Sequence, residues 1–263
     1  MENCGISVII GTLNEEEQIR DCLDSVKEIA DEIIVVDSIS TDKTVDICSK
    51  YTDKIYIRPY ERYARTRNWM LQFVENEWVL SIDADERFSP ELLSEMKFRL
   101  EKDKHGNING YLFPYKYVCF GREMRYWKNK ERHLRFFRKE KERWEDREVH
   151  AKLIVEGEHS VMENYILHLP YRNFANVRDK LPRYTQWDAE ERFKHQKSLK
   201  WYRPFMTLFK PIYNFFRFYI INQNYKDGLA GFLICFFMSH YTAMVDVKHY
   251  RLVLSHYLKK KNC

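Results

Sequence analysis

The first hundred residues alternate short apolar runs with segments of helical period, and that alternation constrains the fold more than any other feature of the chain. It argues for a parallel sheet with helices on its faces. Residues 6–10 read as a continuous apolar strand. Gly11-Thr12-Leu13-Asn14 follows, then a helix in which Ile19, Leu23, Val26 and Ala30 share one face. Asn14 reads as a cap for Glu15, Glu16 and Glu17. Residues 33–36 form a second buried strand closed by Asp37, and Ser38-Ile39-Ser40-Thr41 leads into a short helix over 42–50. A third, shorter strand is expected at 54–57, a helix over 64–74 and a fourth strand at 78–82. Ser89-Pro90 then opens another helix, with Ser as cap and Pro in the first turn.

A chain of 263 residues, 44% hydrophobic and 32% charged, suits one globular domain or one plus an appendage. The net charge of +5 points to anionic partners such as nucleotide phosphates or acidic lipid headgroups, without demanding nucleic acid. Cys4, Cys22, Cys48, Cys119, Cys235 and Cys263 lack the paired spacing of zinc sites or redox dithiols, so reduced thiols are the simplest account. Met1-Glu2-Asn3-Cys4-Gly5 has neither the charged nor the apolar region of a secretion signal, and the working part is expected inside the cell.

In such a sheet ligands gather beyond the carboxyl ends of the strands. The loops there carry Thr12, Asn14 and Glu15, then Asp37 and Ser38, then Asp83 and Asp85. Paired carboxylates at the end of a buried strand can hold a divalent metal against a diphosphate. Polar residues also end strands and cap helices, so Asp-x-Asp by itself has a plain structural reading. A dinucleotide site would need a glycine-rich turn after the first strand, and this turn has Gly11 alone; a phosphate loop with Gly-Lys-Ser is absent too. A diphosphate bound without such backbone donors needs another counter-charge, which a metal on Asp83 and Asp85 would supply.

Four N-terminal segments, in order and correctly spaced, resemble the family 2 glycosyltransferases of the GT-A type. They are Ser-Val-Ile-Ile-Gly-Thr-Leu-Asn-Glu at 7–15, Ile-Ile-Val-Val-Asp-Ser-Ile-Ser-Thr-Asp-Lys-Thr at 33–44, Thr-Arg-Asn at 66–68 and Trp-Val-Leu-Ser-Ile-Asp-Ala-Asp-Glu at 78–86. Leu-Arg-Phe-Phe-Arg at 134–138, Val149-His150, His168, Lys180, Arg183-Tyr184-Thr185 and Tyr-Lys-Asp-Gly at 225–228 are similar to the subgroup that extends lipopolysaccharide cores. The resemblance implies an α/β fold, a Rossmann-like GT-A sheet, mostly parallel with helices on both faces, followed by a helical, aromatic-rich appendage. Residues 1–175 would be the transferase domain, with a nucleotide-sugar half over 1–110 and an acceptor half over 111–175, and 176–263 the helical region.

The resemblance also implies roles. Thr12, Asn14 and Glu15 would line the nucleoside pocket, Asp37 and Ser38 would recognise the base, and Arg67 and Asn68 would approach the diphosphate or sugar. Asp83 and Asp85 would hold Mg or Mn against the diphosphate of a nucleotide sugar, most often a UDP-sugar in this family. The bland alternatives are a turn residue at Ser38 and a solvated helical charge at Arg67. Inversion at the anomeric carbon needs a carboxylate base. The segment 143–151 offers Glu145, Asp146 and Glu148, of which Asp146 and then Glu148 are the candidates; the chain departs from the family pattern at Ala151, where relatives carry Glu after Val-His. His150 would complete the metal shell or touch the diphosphate. A non-catalytic nucleotide-sugar-binding or scaffold protein of GT-A fold is the alternative function.

Residues 128–147 interleave lysine and arginine with glutamate, which favours a solvated, ion-paired surface over a nucleic-acid site. From Trp201 onward aromatics alternate with cations, as suits the headgroup region of a bilayer or a helical subdomain packed on itself. The apolar run 228–238 is about half the length of a spanning helix, and Pro204 and Pro211 are expected to break the region into short helices. A cytoplasmic protein, peripheral on the inner face of the cell membrane and acting on a glycan or lipid-linked acceptor, is the expectation.

Overall fold

The computed structural model describes residues 5–60, 63–103, 107–127, 131–144, 153–198 and 203–261. In chain order the first elements are β1 (Ile6–Thr12), α1 (Ile19–Val26), β2 (Glu32–Asp37), α2 (Thr44–Cys48), β3 (Ile55–Ile57) and α3 (Tyr63–Met70). Then come β4 (Trp78–Asp83), β5 (Glu86–Arg87), α4 (Pro90–Lys102), β6 (Ile108–Cys119), β7 (Arg122–Met124) and β8 (Arg132–Arg138). The rest are β9 (Glu142–Trp144), β10 (Leu153–Val155), β11 (Glu158–Val161), β12 (Ile166–Tyr171), α5 (Phe174–His195), α6 (Arg203–Phe216) and α7 (Gly228–Lys261).

The chain divides into two compact units, Met1–Lys116 with Lys130–Leu169, and Tyr117–Asn129 with Pro170–Cys263. In the first unit β1 pairs in parallel with β2 on one side and β4 on the other. The register sets Thr12 beside Asp37 and Gly11 beside Asp83, which brings the loops after all three strands to one edge. β3 extends this parallel group, and β8 adds to β4 antiparallel, so the sheet is mixed, in the order β3-β2-β1-β4-β8-β6-β12-β5.

The apolar runs are buried on both faces, as strands covered by helices must be. Ile9, Ile34, Val36, Val79 and Phe137 join Met70, Val74 and Val155 in one cluster, with Tyr56, Trp69 and Phe73 packed against it. Cys22, Leu23 and Val26 of α1 are fully buried as well. Each large side chain so buried contributes roughly 1.5–3 kcal/mol. Ser89 caps α4 by accepting from the Leu92 N–H, with Pro90 first in the helix, as its sequence predicts.

α1 begins at Ile19, later than the sequence suggests, because Asn14 is left-handed (φ 54°) and does not cap it. Asn tolerates that region, and its side chain instead accepts from the Thr41 N–H at 2.8 Å, in the loop after β2.

In the second unit α5 and α6 both pack on α7. The expectation that Pro204 and Pro211 break this region into short helices is overturned. α6 runs unbroken for 14 residues, with Pro204 in its first turn, where no N–H is needed, and Pro211 inside it. A π turn (Arg217–Ile221) and a 3-10 turn (Asn224–Asp227) lead into α7 of 34 residues. Asp227 anchors this corner by accepting from the N–H groups of Arg125 and Tyr126 at 2.9 and 3.1 Å. The helix therefore runs far past the apolar run 228–238. Asn224–Lys260 is long and apolar enough to cross a membrane by length and composition. Its later half nevertheless carries the buried Asp246, whose carboxylate takes Arg192 and, at 2.7 Å, Lys210.

Candidate active site

Asp37 ends β2 almost completely buried, in the midst of donors. Its carboxylate accepts from Thr12 Oγ1 at 2.9 Å, from the Ser40 N–H at 2.7 Å and from Ser40 Oγ at 2.6 Å. The Ile39 backbone is left-handed (φ 64°), the conformation in which the loop folds Ser40 back onto Asp37. The loops after β1 and β2 are stitched together: the Asn14 N–H donates to Ser40 Oγ, the Glu15 N–H to Thr44 Oγ1 and the Ser38 N–H to the Thr12 carbonyl, each at 2.8 Å. Thr12, Asn14, Glu15, Asp37 and Ser38 thus share one sheet edge and one hydrogen-bonded frame.

Asp83 ends β4 on the same edge, between two arginines. Its Oδ1 accepts from Arg67 at 2.7 Å and its Oδ2 from Arg135 at 2.6 Å. Arg67 is 2% exposed, so it is not a solvated helical charge. It also donates to the carbonyls of Ile9 and Ile82 at 2.8 and 2.7 Å, which fastens the ends of β1 and β4 to the Asp83 carboxylate. Asn68, the next residue of α3, is half-buried.

Arg135 reaches further. It donates to Glu86 Oε1 at 2.6 Å and to Tyr115 Oη at 2.7 Å, and the Tyr115 hydroxyl donates to Glu86 Oε1 at 2.5 Å. Glu86 Oε2 accepts from the Asp83 N–H at 3.0 Å. Asp85 lies beside this group with Oδ1 3.3 Å from Nε2 of His168, a residue of β12. The Asp85 carbonyl accepts from the Leu169 N–H at 2.8 Å, which locks the β4 loop to β12.

The charges respond to these partners. Burial opposes ionisation of Asp83, but Arg135 and then Arg67 outweigh it and hold the carboxyl below its ordinary range. Burial likewise opposes protonation of His168, and Asp85, with Glu86 and Asp83 behind it, raises its pKa above the ordinary value. Burial, with Glu86 adding, pushes the Tyr115 phenol well up, so it stays a hydroxyl donor. Cys22, Cys48, Cys119 and Cys235 are buried free thiols, and burial raises Cys48 to about 12, far from nucleophilic.

Both Asp83 oxygens already carry guanidinium donors and Asp85 is paired with His168, so a divalent cation here would take the place of the His168 proton and be held by Asp85 with the neutral imidazole. Among the described residues no three His, Cys, Asp or Glu form a cage for one. Two protein ligands nevertheless fit a cation that takes its remaining oxygens from a diphosphate and water, the habit of Mg. Asp146, Glu148 and His150 lie outside the described residues.

Sequence reasoning gave no role to Glu86, Tyr115, Arg135 or His168. Arg135 had a signal: a lone cation within Leu134-Arg135-Phe136-Phe137, in a strand whose neighbours are buried.

The sequence profile described as glycosyl transferase family 2 matches residues 7–153, more than half of the chain. The chain belongs to glycosyltransferase family 2. The fold that the resemblance implies, a Rossmann-like sheet followed by a C-terminal helical region, is the one observed, and that region ends in the long helix α7. Lipopolysaccharide core biosynthesis glycosyltransferase LpsC of Rhizobium meliloti is 28% identical over 258 residues, covering 94% of this chain and 92% of LpsC. An uncharacterized glycosyltransferase of Rickettsia bellii is 44% identical over 93 residues, 35% of this chain and 32% of that protein. The chain thus spans about a third of the length of the Rickettsia relatives it matches. The crystal structure of TarS of S. aureus superposes with a TM-score of 0.45 at 19% identity, covering 95% of this chain and 54% of TarS.

Proposed function

We propose that this family-2 chain moves a sugar from a nucleoside-diphosphate carrier, UDP in the first instance, to a hydroxyl of a cell-envelope glycan or lipid-linked acceptor such as a lipopolysaccharide core. The observation that carries the reading is the meeting of the Asp37 frame and the Asp83–Asp85 loop on one carboxyl edge of three parallel strands. The end-to-end match with LpsC supports the acceptor class.

In this reading the Asp37 frame receives the nucleoside, with Thr12, Asn14, Glu15 and Ser38 around it. Asp85 and His168 would hold Mg or Mn for the diphosphate, and His150 is a further candidate ligand. When bound, that cation acts as a Lewis acid on the departing diphosphate oxygens. The acceptor oxygen bonds to the anomeric carbon from the face opposite the leaving group, and the bond from that carbon to the phosphate oxygen breaks. Its electron pair leaves with the nucleoside diphosphate, the configuration inverts, and the acceptor proton passes to a carboxylate, Asp146 or Glu148. Arg67 and Arg135 do not touch the reacting atoms; they fix Asp83 and Glu86 and so hold the strand end from which Asp85 projects. The reaction is placed on the cytoplasmic face of the cell membrane, where lipid-linked acceptors are built.

Release of nucleoside diphosphate from a panel of nucleotide sugars, with and without Mn, tests the reading. Metal-dependent release that Asp85→Asn abolishes is the expected result. No release from any donor with either metal would overturn it in favour of a binding or scaffold protein.

A further inference from the structure

α6 is an amphipathic helix turned inside out. Phe205, Leu208, Phe209, Ile212, Tyr213 and Phe216 recur at i, i+3, i+4, i+7, i+8 and i+11, one face of a helix, and each is between 51 and 70% exposed. The inward positions are polar. Thr207 is buried and shares a 2.7 Å hydrogen bond with the Tyr250 hydroxyl, Asn214 donates to Thr242 Oγ1 at 2.7 Å, and Lys210 reaches Asp246. A helix of a water-facing unit buries its apolar stripe and exposes its polar one; here the polar stripe is bonded to α7 and the apolar stripe is left outside. The apolar surface continues through Ile220 and Ile221 to Leu229 and Phe232 at the start of α7, all more than 40% exposed.

Charge decides what covers this surface. Residues 203–263 contain nine lysines and arginines but only two acids, Asp227 and Asp246, and both acids are buried. That surplus of seven exceeds the +5 of the whole chain, so the first 202 residues are acidic by two. A second copy meeting this face about a two-fold axis would set the same cations against one another. An anionic bilayer surface offers the opposite charge and an apolar layer just beneath it.

We propose that the outer face of α6, with the turn after it, lies in the interface of an anionic membrane as an in-plane helix, its aromatics at headgroup depth and Arg217 and Lys226 against lipid phosphates. The inference stands on the second unit alone and does not depend on the transferase reading.

Flotation of the full-length protein with phosphatidylcholine vesicles, with and without phosphatidylglycerol, tests it. The expected result is recovery with the anionic vesicles, weakened by salt. Leu208→Glu with Ile212→Glu should lower the bound fraction by about tenfold or more per side chain, with an unchanged circular dichroism spectrum because both positions are exposed. Phe205→Ser with Tyr213→Ser probes the same face without adding charge and should act in the same direction. Wild-type protein that stays unbound on anionic vesicles, or variants that float as well as wild type, would overturn the proposal. So would a dimer, seen by light scattering without lipid, that the same substitutions dissolve while the wild type fails to float. Nucleoside diphosphate release in solution reports separately on the transferase reading.

Discussion

The carboxyl edge of the sheet and the α6 helix both bury polar side chains, but for opposite ends. At the sheet edge Arg67, Asp83, Arg135, Glu86 and Tyr115 satisfy one another, and beside them Asp85, only partly exposed, is paired with His168. At α6 the polar groups are likewise satisfied within, through Thr207, Lys210 and Asn214, and the residues facing outward are apolar. A buried polar network is neutral as to purpose; what it leaves on the surface tells what the region is built to meet. Under the two proposals made above, one region meets a small charged ligand and the other a larger apolar surface.

The largest test of that contrast is Asp85→Asn. If Asp85 holds the metal, its loss should lower metal-dependent release of nucleoside diphosphate by on the order of a thousandfold, since a Lewis-acid contact is worth several kcal/mol. Manganese affinity, measured by calorimetry, should fall with it. Next in size is Arg135→Met, which strands Asp83 and Glu86 without one of their cations and should cost about 3–5 kcal/mol in urea unfolding. Lys210→Met sharpens the comparison, because Asp246 keeps Arg192 and the loss should be only about 1 kcal/mol. Equal losses at the two sites would erase the distinction drawn between them.

Much of the first unit was legible in the chain. β1, β2 and β4 are apolar on both faces, and only a strand covered by helices reads as an unbroken run. The positions of Asp37, Asp83 and Asp85 on one edge follow from that alternation. The inner network was not legible, because its members come from residues 67, 83, 86, 115 and 135, brought together by an antiparallel register that no local pattern encodes. The burial of Arg67 was hidden too: the helix around it shows no clear apolar stripe, so a cation there looks solvated. In α6 the proline signal misled because Pro204 sits where a helix tolerates it, and α7 was underestimated because the apolar run stops before Ser239, which, like Asp246 and His249 further on, is buried in the helix.

A smaller effect separates the second unit's ion cluster by pH. Burial raises the pKa of Asp246, but Lys210 and Arg192 outweigh it and bring the folded value below the ordinary one. Its contribution is therefore fully present above the unfolded value, about 3.9, and is lost as pH falls through the folded value. The difference in unfolding free energy between wild type and Asp246→Asn should be constant at neutral pH and shrink below about pH 4. A difference that grew on acidification would mean the carboxyl is held neutral in the fold, contrary to the bonds it receives.

The smallest expected effect is the most discriminating for α6. Leu208→Gln in solution should change stability by less than about 0.5 kcal/mol, since an exposed side chain has little to lose, whereas Ile234→Ala, fully buried in α7, should cost about 2–5 kcal/mol. A soluble unit whose core had merely been misassigned to its surface would lose heavily at both positions. If Leu208→Gln leaves the urea midpoint in place yet removes vesicle binding, the apolar face contributes nothing to the fold and its chemistry is directed at the bilayer.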